Sequence, residues 1–314
     1  MPPCERQADA WQRFFKGQSG RPRFKRRGSD SVVIPGNVRI RDGRLWFPRL
    51  GWMTLRRRGA NPYPDGVPKS VAIKRVCGTW HAVVCYEVAV PARSDDGEVV
   101  GVDMNVRQVT TSDREVFHAP DTRRLEARKK RYARRLARQR RGSRRRQRTR
   151  ARLAGTQRRI TMARRNWQHH VSRRIARSAG TVVIEDLKTR NMTASAKGTV
   201  QAPGTNVRQK AGLNREALGT GWGGLRQMLG YKALRGVAVN PAHTSQTCAA
   251  CGSVDAANRP SQAIFSCVAC GHADNADLNA ARNIRRRGLA HLHEEGRSHP
   301  ATPMSREMDR SRAA

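Results

Sequence analysis

Four cysteines near the carboxyl end of the chain constrain its fold more than any other feature of the sequence. They form two Cys-x-x-Cys pairs, at Cys248, Cys251, Cys267 and Cys270. Two pairs at this spacing place four thiolates in a tetrahedron around one Zn²⁺ ion, about 2.3 Å from each sulfur. A glycine follows each pair, where the loop needs backbone freedom. The pattern predicts a zinc ribbon over residues 241–275. Four sulfur ligands leave no open position, so this zinc is expected to be structural.

The charge of the chain predicts a polyanionic partner. The 314 residues include 63 lysines and arginines against 24 acidic residues, a formal net charge of +39. In a compact fold with this much positive charge the basic side chains repel one another, so a polyanionic partner is expected. Nucleic acid is the polyanion whose binding gains most from many phosphate contacts, because each contact releases counterions. A membrane partner is not expected, since the sequence shows no signal peptide, lipidation motif or apolar stretch of about 18 residues.

The amino-terminal third is predicted to be rich in β-structure. Segments between residues 31 and 90 are rich in β-branched and aromatic residues and are broken by glycine and proline. A small antiparallel barrel or sandwich would close such strands. Cys77 and Cys85 fall inside these segments, so we expect both to be small core residues. Cysteine usage as a whole indicates a metal site in a reducing compartment and not a disulfide framework.

Residues 121–178 differ from the rest of the chain in composition. Arginine is frequent, acids are almost absent, and the few apolar residues recur at helical spacing. The pattern predicts two long basic helices that turn at residues 142–143 or at Gly155. An ordinary solvated face is the alternative, but such faces mix both charge signs at i,i+4 spacing. A further helix is expected over residues 214–232. We expect the two basic helices to grip nucleic-acid backbone through Arg134, Arg135, Arg138, Arg144, Arg145 and Arg146.

In a chain with few carboxylates, the acids that lie in apolar segments are informative. Asp103 lies within VVGVDMNV and Glu185 within VVIEDL, where a charge is costly unless it is paired or binds a cation. Asp277 stands at the start of a short helix after the cysteine pairs. If the three carboxylates converge, they can hold two Mg²⁺ ions about 4 Å apart and so hydrolyse phosphodiesters. The alternatives are a buried arginine partner for either strand acid and a helix N-cap for Asp277.

The same motifs indicate a family. In this order, GVDMNV, VVIEDL, TSQTCAACG and CGHADNADLNAARNI resemble the TnpB-type RNA-guided DNA endonucleases of bacterial insertion sequences, relatives of the compact type V CRISPR effectors. The resemblance implies an α+β fold: an RNase H-like (RuvC) mixed sheet with helices, an arginine-rich helical insertion, a zinc ribbon and an N-terminal β-barrel-like wedge domain. It also implies a catalytic triad of Asp103, Glu185 and Asp277, with no catalytic role for Asp186 or Asp274.

The resemblance further implies a division of the chain. The expected segments are a partial recognition segment and wedge domain over 1–96, a nuclease core over 97–240 with its helical insertion at 121–178, the zinc ribbon over 241–275, a final nuclease helix over 276–290 and a disordered tail over 291–314. The amino-terminal part is expected to be shorter than in other members of the family.

The function that the resemblance implies is RNA-guided, Mg²⁺-dependent cleavage of target DNA. A guide RNA from the transposon end would supply sequence by base pairing, while the protein contacts backbone. The setting would be the bacterial cytoplasm, at the nucleoid. The alternative is a non-cleaving nucleic-acid-binding protein or repressor derived from this family by N-terminal shortening. Strand transfer by the chain itself is not expected, because neither Tyr132 nor Tyr231 has a neighbouring histidine pair.

Overall fold

The computed structural model of the protein describes residues 3–23, 31–36, 38–47, 51–56, 63–89 and 97–298. These residues fall into two units, within Met1–Ala92 and within Arg93–Arg306, and each unit is described by itself. No helix in the ranges just given combines the length and the apolar character needed to cross a membrane.

The described residues of the first unit form a short helix and six strands. The helix α1 (Pro3–Phe15) carries an aromatic cluster in which the rings of Trp11, Phe14 and Phe15 lie with centroids 5.5 to 5.8 Å apart. The strands are β1 Ser31–Pro35, β2 Ile40–Arg41, β3 Arg44–Phe47, β4 Gly51–Thr54, β5 Val67–Val76 and β6 Thr79–Glu87. The predicted β-rich character of this region is therefore confirmed.

Two antiparallel sheets share one apolar core in this unit. One sheet has the strand order β1-β5-β6 and the other has the order β2-β3-β4. Val38, Leu45 and Val71 are buried together at the centre of the core. Within the described residues of this unit the two sheets are not hydrogen-bonded to each other, so a closed barrel stays a prediction.

The prediction that Cys77 and Cys85 belong to the core is wrong, since both are exposed. Cys77 and Gly78 form the two-residue turn between β5 and β6, with φ angles of 51° and 85°. Positive φ at both central residues is the requirement of a tight hairpin turn, which places Cys77 beyond the sheet. Cys85 follows Val84, whose side chain packs on the core, and alternation along a strand turns the next residue outward.

The second unit is built on a five-stranded mixed sheet. Its strands are β7 Val99–Asn105, β8 Gln108–Thr111, β9 Val116–His118, β10 Thr181–Glu185 and β11 Arg235–Val239. The order across the sheet is β11-β10-β7-β8-β9. Strand β10 is parallel to both of its neighbours, whereas β8 and β9 run antiparallel. The predicted mixed sheet with helices in an α+β fold is confirmed.

Helices cover both faces of this sheet, as buried parallel strands require. On one face, Val102 and Ile184 pack against α3 (Arg144–Ser178) and α6 (Trp222–Lys232). On the other face, Val99, Val183 and Val239 pack against Ile284 of α7 (Ala276–Ser298). The alternation of side chains along β7 and β10 therefore decides which residues face α7.

Gly101 explains how α7 comes so close to β7. A Cβ atom added at this glycine would lie 2.1 Å from the carbonyl oxygen of Ala281, well inside van der Waals contact. Any other residue would push the helix away from the strand. Gly101 therefore allows α7 to pack closely against β7, next to Asp103.

The two basic helices are present as predicted. Helix α2 (Arg123–Ala137) buries none of its residues, and α3 turns back along it. The turn contains Gly142, which has a φ angle of 83°. The hydroxyl of Ser143 then accepts a hydrogen bond from the N–H of Arg146 at 3.2 Å and caps α3. Gly155, the alternative turn position, lies inside α3.

Two predicted helix boundaries are wrong. The single helix expected over 214–232 is two helices, α5 (Val207–Thr220) and α6, because Gly221 adopts a left-handed conformation with a φ angle of 74°. A short helix α4 (Thr189–Met192) precedes them. Helix α7 continues to Ser298, past the predicted end at residue 290, because Leu292 packs on the sheet and Glu295 pairs with Arg235. The rest of the predicted tail, 299–314, lies outside the described residues.

Candidate functional site

The three acids predicted to form a catalytic triad come together on the α7 face of the mixed sheet. Asp103 on β7 and Glu185 at the end of β10 are 7% and 8% exposed. The two strands are parallel neighbours, paired at Val102 and Ile184, so the acids that follow lie side by side. Asp277 is in the first turn of α7, and its side chain is 16% exposed.

The electrostatics show that the three carboxylates share one environment. Burial, together with the negative charges of Glu185 and Asp277, raises the pKa of Asp103 to about 8. Burial also raises the pKa of Glu185 and that of Asp277. A group of buried acids that repel one another is typical of a site that binds a cation or takes up protons.

Each carboxylate has a polar partner that orients it. Asn105 Nδ2 donates to Asp103 Oδ2 at 2.7 Å. Gln108 Nε2 donates to Asp277 Oδ2 at 3.0 Å. The hydroxyl of Thr244 donates to Glu185 Oε1 at 2.5 Å. None of these three partners was predicted from the sequence, because polar residues in such segments are common and only the fold brings them to the acids.

Arg259 is a further residue that the sequence did not reveal. It lies between the two cysteine pairs, and its Nη2 atom is 3.8 Å from Asp277 Oδ1. Its positive charge counteracts the burial that raises the pKa of Asp103 and of Asp277. Nothing in the linear sequence distinguishes this arginine from the many others in the chain.

Asp277 is not the N-cap of α7, and the two strand acids do not have an arginine partner among the described residues. The cap of α7 is Asn275, whose side-chain oxygen accepts the N–H groups of Asp277 and Leu278 at 3.0 and 3.2 Å. Within the described part of the chain, neither Asp103 nor Glu185 forms an ion pair with an arginine. The neighbouring acids are used elsewhere, since Asp186 pairs with Arg226 at 2.6 Å and Asp274 pairs with Arg282.

The four cysteines form a compact cluster whose Sγ atoms all lie within 4.8 Å of one another. The Sγ atoms of Cys248 and Cys270 are 3.8 Å apart, and those of Cys251 and Cys267 are 3.6 Å apart. A tetrahedron with zinc–sulfur distances of about 2.3 Å has edges of about 3.8 Å, so the spacing fits Zn²⁺. Main-chain N–H groups of Cys270 and Ala269 lower the pKa of Cys267 to about 7, which favours the thiolate that a metal binds.

The two cysteine loops have the same local build. In the first, Gly252 N donates to Cys248 O at 3.0 Å, and in the second, Gly271 N donates to Cys267 O at 3.0 Å. Both glycines have positive φ, at 81° and 72°. The side chain of Asn258, which is fully buried, joins the loops by donating to Gln246 O at 2.9 Å and accepting from Val268 N at 2.9 Å.

The arginines proposed to grip backbone are not equivalent in the structure. Five of them are exposed, namely Arg134, Arg135, Arg138, Arg144 and Arg145. Four of these five, all except Arg144, line a cleft of about 800 Å³ between α2 and α3, together with Lys130 and Arg131. Arg146 is different, because its guanidinium donates to the carbonyl oxygens of Leu136 and Gln139, the latter at 2.9 Å, and so ties α3 to the end of α2.

A buried carboxylate cluster on a mixed sheet, a four-cysteine cluster and arginine-rich helices together are typical of metal-dependent proteins that act on nucleic acid. Comparison with known proteins agrees with this class. The family model OrfB_IS605, described as a probable transposase, matches residues 83–196, and the model described as Cas12f1-like, TNB domain, matches residues 222–284. The first range includes Asp103 and Glu185, and the second includes the four cysteines and Asp277.

Similar whole proteins define the family. The chain is 38% identical over 294 residues to a putative RNA-guided DNA endonuclease, InsQ, of Escherichia coli (strain K12), covering 90% of this chain and 72% of that protein. It is 30% identical over 298 residues to a putative RNA-guided DNA endonuclease of Streptomyces pristinaespiralis, covering 90% of this chain and 69% of that protein. The protein belongs to the family of TnpB-type RNA-guided DNA endonucleases. A solved Cas12f1–sgRNA–target DNA complex matches with a TM-score of 0.41 and 17% identity, covering 88% of this chain and 75% of that one.

Proposed function

We propose that this protein is an RNA-guided DNA endonuclease that hydrolyses phosphodiester bonds at Asp103, Glu185 and Asp277 with Mg²⁺. The observation that carries the proposal is the burial of these three carboxylates in one place, which raises the pKa of Asp103 to about 8. Buried negative charge of this kind is costly unless a cation shares the site. The printed names of two relatives, both putative RNA-guided DNA endonucleases, support the same activity.

The donor set fits Mg²⁺, because carboxylate oxygens are the hard ligands that this ion prefers. A bound pair of Mg²⁺ ions would activate the attacking water and stabilise the leaving oxygen. Asp103, Glu185 and Asp277 would hold the ions, with their polar neighbours keeping each carboxylate oriented. Attack of water on phosphorus with departure of the 3′ oxygen leaves a 3′-hydroxyl and a 5′-phosphate.

Arg259 would contact the scissile phosphate in this proposal. Its guanidinium lies beside Asp277, and 26% of the side chain is exposed, so the side chain is open in part to solvent from which a phosphate could bind. Guanidinium groups bind phosphate oxygens through paired N–H donors. Charge that builds up on the phosphate during hydrolysis would then be stabilised by a group already in place.

The strand arrangement supports an RNase H-like (RuvC) core. Three antiparallel strands, β7 to β9, are extended on the β7 side by β10 and β11 in parallel, giving the order β11-β10-β7-β8-β9. We propose that residues 97–240 and 276–290 form this core and that residues 1–96 form a recognition segment and a barrel-like wedge domain. The four-cysteine cluster within 241–275 would hold one structural Zn²⁺ ion.

The partners would be a guide RNA from the transposon end and a target DNA, met in the bacterial cytoplasm at the nucleoid. The exposed arginines of α2 and α3 would contact phosphates, which suits a protein that reads sequence through base pairing and not through its own side chains. The net charge of +39 supports a large electrostatic contribution to this binding.

A plasmid cleavage assay with the copurified RNA and a matching target tests the proposal. Wild type should cut with Mg²⁺ or Mn²⁺ and poorly with Ca²⁺, whose looser coordination suits the reaction badly. Asp103→Ala should nearly abolish cutting while RNA binding stays intact. Asp186→Asn is the matched control directly after the same strand, and its effect should be small because Asp186 pairs with Arg226. Binding of guide and target without cleavage under any of these metals would instead identify a non-cleaving nucleic-acid-binding protein.

A further inference from the structure

Thr244 stands between the four-cysteine cluster and Glu185. It is 4% exposed, and its hydroxyl reaches Glu185 Oε1 at 2.5 Å and the carbonyl oxygen of Pro241 at 3.0 Å. A hydroxyl has one proton to donate, so the two acceptors compete for it. An ionised carboxylate is the stronger acceptor, which directs the proton of Thr244 to Glu185.

The main chain around Thr244 is held by helix α7. Asn283 Nδ2 donates to the carbonyl oxygens of Thr244 and Thr247, at 3.0 and 2.6 Å. Asn279, one turn earlier on the same face of the helix, donates to Thr247 O at 2.8 Å. Both asparagines are fully buried, so these bonds are shielded from competing water.

The same asparagine also holds the first cysteine loop. Asn279 Oδ1 accepts the N–H of Ala249 at 2.9 Å, and Ala249 directly follows Cys248. A continuous set of hydrogen bonds therefore runs from the cysteine cluster through Asn279 and the 244–247 turn to the carboxylate of Glu185. The residues in this set are buried, apart from Ala249, which is partly buried.

We propose that Thr244 is a positioning residue that fixes the carboxylate of Glu185 for metal binding, and that Asn283 and Asn279 of α7 hold the turn that carries Thr244. The inference rests on the proposed function, in which Glu185 is a Mg²⁺ ligand. Hydrogen-bond partners of ligating carboxylates set the orientation of the ligand, and their loss typically lowers metal affinity or activity about 10- to 100-fold. Thr244 would then act on the reaction through Glu185, without contacting the reacting atoms.

Thr244→Val and Thr244→Ser separate this role from a merely structural one. Valine keeps the size and branching of threonine but removes the hydroxyl, whereas serine keeps the hydroxyl. If the residue only fills space, valine is the better replacement. If it orients Glu185, serine is the better one. Thr244→Ala also removes the hydroxyl and provides the same comparison should valine disturb the turn.

The test is Mn²⁺ binding by calorimetry to the full chain with its copurified RNA, with zinc content measured on the same samples. Thr244→Val should weaken Mn²⁺ binding about 10- to 100-fold at unchanged zinc content. Thr244→Ser should stay close to wild type. In a Glu185→Gln background, Thr244→Val should add no further loss, because the hydroxyl acts through that carboxylate. The half-saturating Mg²⁺ concentration for cleavage should rise in Thr244→Val by a similar factor.

Two results overturn the inference while leaving the nuclease proposal intact. One is wild-type Mn²⁺ affinity in both Thr244→Val and Thr244→Ala. The other is a full additional loss when Thr244→Val is combined with Glu185→Gln. A wild-type protein whose Mn²⁺ binding does not depend on Glu185 at all overturns the proposed function itself, and this inference with it.

Discussion

The cysteine cluster and the carboxylate cluster of this protein differ in how the chain assembles them. Both cysteine pairs lie in loops of the same local build, and the four Sγ atoms lie within 4.8 Å of one another. Among the described residues no other group of three or more possible ligands is that tight. The carboxylates come instead from β7, β10 and α7, three elements far apart in sequence. A closed set of soft ligands suits a structural metal, and an open set of hard ligands suits a catalytic one.

Their electrostatics differ as well. In the cysteine cluster, main-chain N–H groups lower the pKa of Cys267 to about 7, whereas a hydrogen bond with Cys251 and burial raise the pKa of Cys270 to about 12, so the ligands shift in opposite directions. Burial and neighbouring acids raise the pKa of Asp103 to about 8, so the fold disfavours the charged form there. In the carboxylate cluster the pKa of each of the three acids is raised, so the fold disfavours negative charge that a bound cation would stabilise.

The largest expected effect on stability is at the cysteine cluster. Cys267→Ser removes one ligand, and because metal binding and folding are coupled in such sites, zinc content and stability should fall together. The loss should be about 4 kcal/mol or more, as expected when a metal site is destroyed. Thermal unfolding and zinc analysis of the same samples measure both. Cys77→Ser, at an exposed cysteine outside the cluster, should change neither. Unchanged stability in a zinc-free Cys267→Ser protein would contradict a structural role.

At the carboxylate cluster, the next effect is on catalysis and not on folding. Arg259→Gln should lower the cleavage rate about 10²- to 10³-fold, the range for loss of one pre-positioned donor. The melting temperature and the affinity for guide RNA should stay nearly constant. Arg282→Gln is the matched control, because Arg282 pairs with Asp274 outside the triad. Equal losses in both variants would assign Arg259 a structural role only.

Asp103→Asn should stabilise the protein in the absence of divalent cations, because it removes a buried carboxylate whose ionisation is unfavourable in the fold. The pKa of Asp103 is about 8 in the fold and about 3.9 when unfolded, so folding takes up a proton between these values. Wild-type stability should therefore fall as the pH rises from about 4 to about 8, and the asparagine variant should lose less, because only Glu185 and Asp277 then take up protons on folding. At pH 8 we expect a gain on the order of 1–3 kcal/mol. Thermal unfolding in a chelator across this pH range measures it, and added Mg²⁺ should reduce or reverse the difference. A variant less stable than wild type at pH 8 would mean that the ionised Asp103 carboxylate does not destabilise the fold.

The smallest effect per residue is expected on the basic helices, which belong to neither cluster. Replacing Arg134, Arg135 and Arg138 with Gln should weaken nucleic-acid binding about equally for all sequences. Each lost phosphate contact should reduce the slope of log affinity against log salt by roughly 0.7 to 0.9. Arg146→Gln should instead lower thermal stability with little change in slope, because that guanidinium ties α3 to α2. An unchanged slope in the triple variant would leave the three arginines without phosphate contacts.

Local patterns in the sequence predicted the parts of this protein that depend on near neighbours. The spacing of the cysteine pairs predicted their cluster, and helical periodicity predicted α2 and α3 with a turn at Gly142. The apolar runs around Asp103 and Glu185 predicted the two strands, β7 and β10, that carry these acids. These features are short-range because a loop, a helix or a strand is set by residues a few positions apart.

Tertiary structure alone decided which residues support the acids. Thr244 reaches Glu185 across 59 positions of the chain, and Gln108 reaches Asp277 across 169. Neither Thr244 nor Arg259 belongs to a pattern that periodicity or spacing can detect. The exposure of Cys77 was missed for a related reason, since a two-residue turn with positive φ displaced it from a segment that reads as a strand. A pairing across the chain depends on how the sheet and α7 pack, and packing is a property of the whole fold that no local window contains.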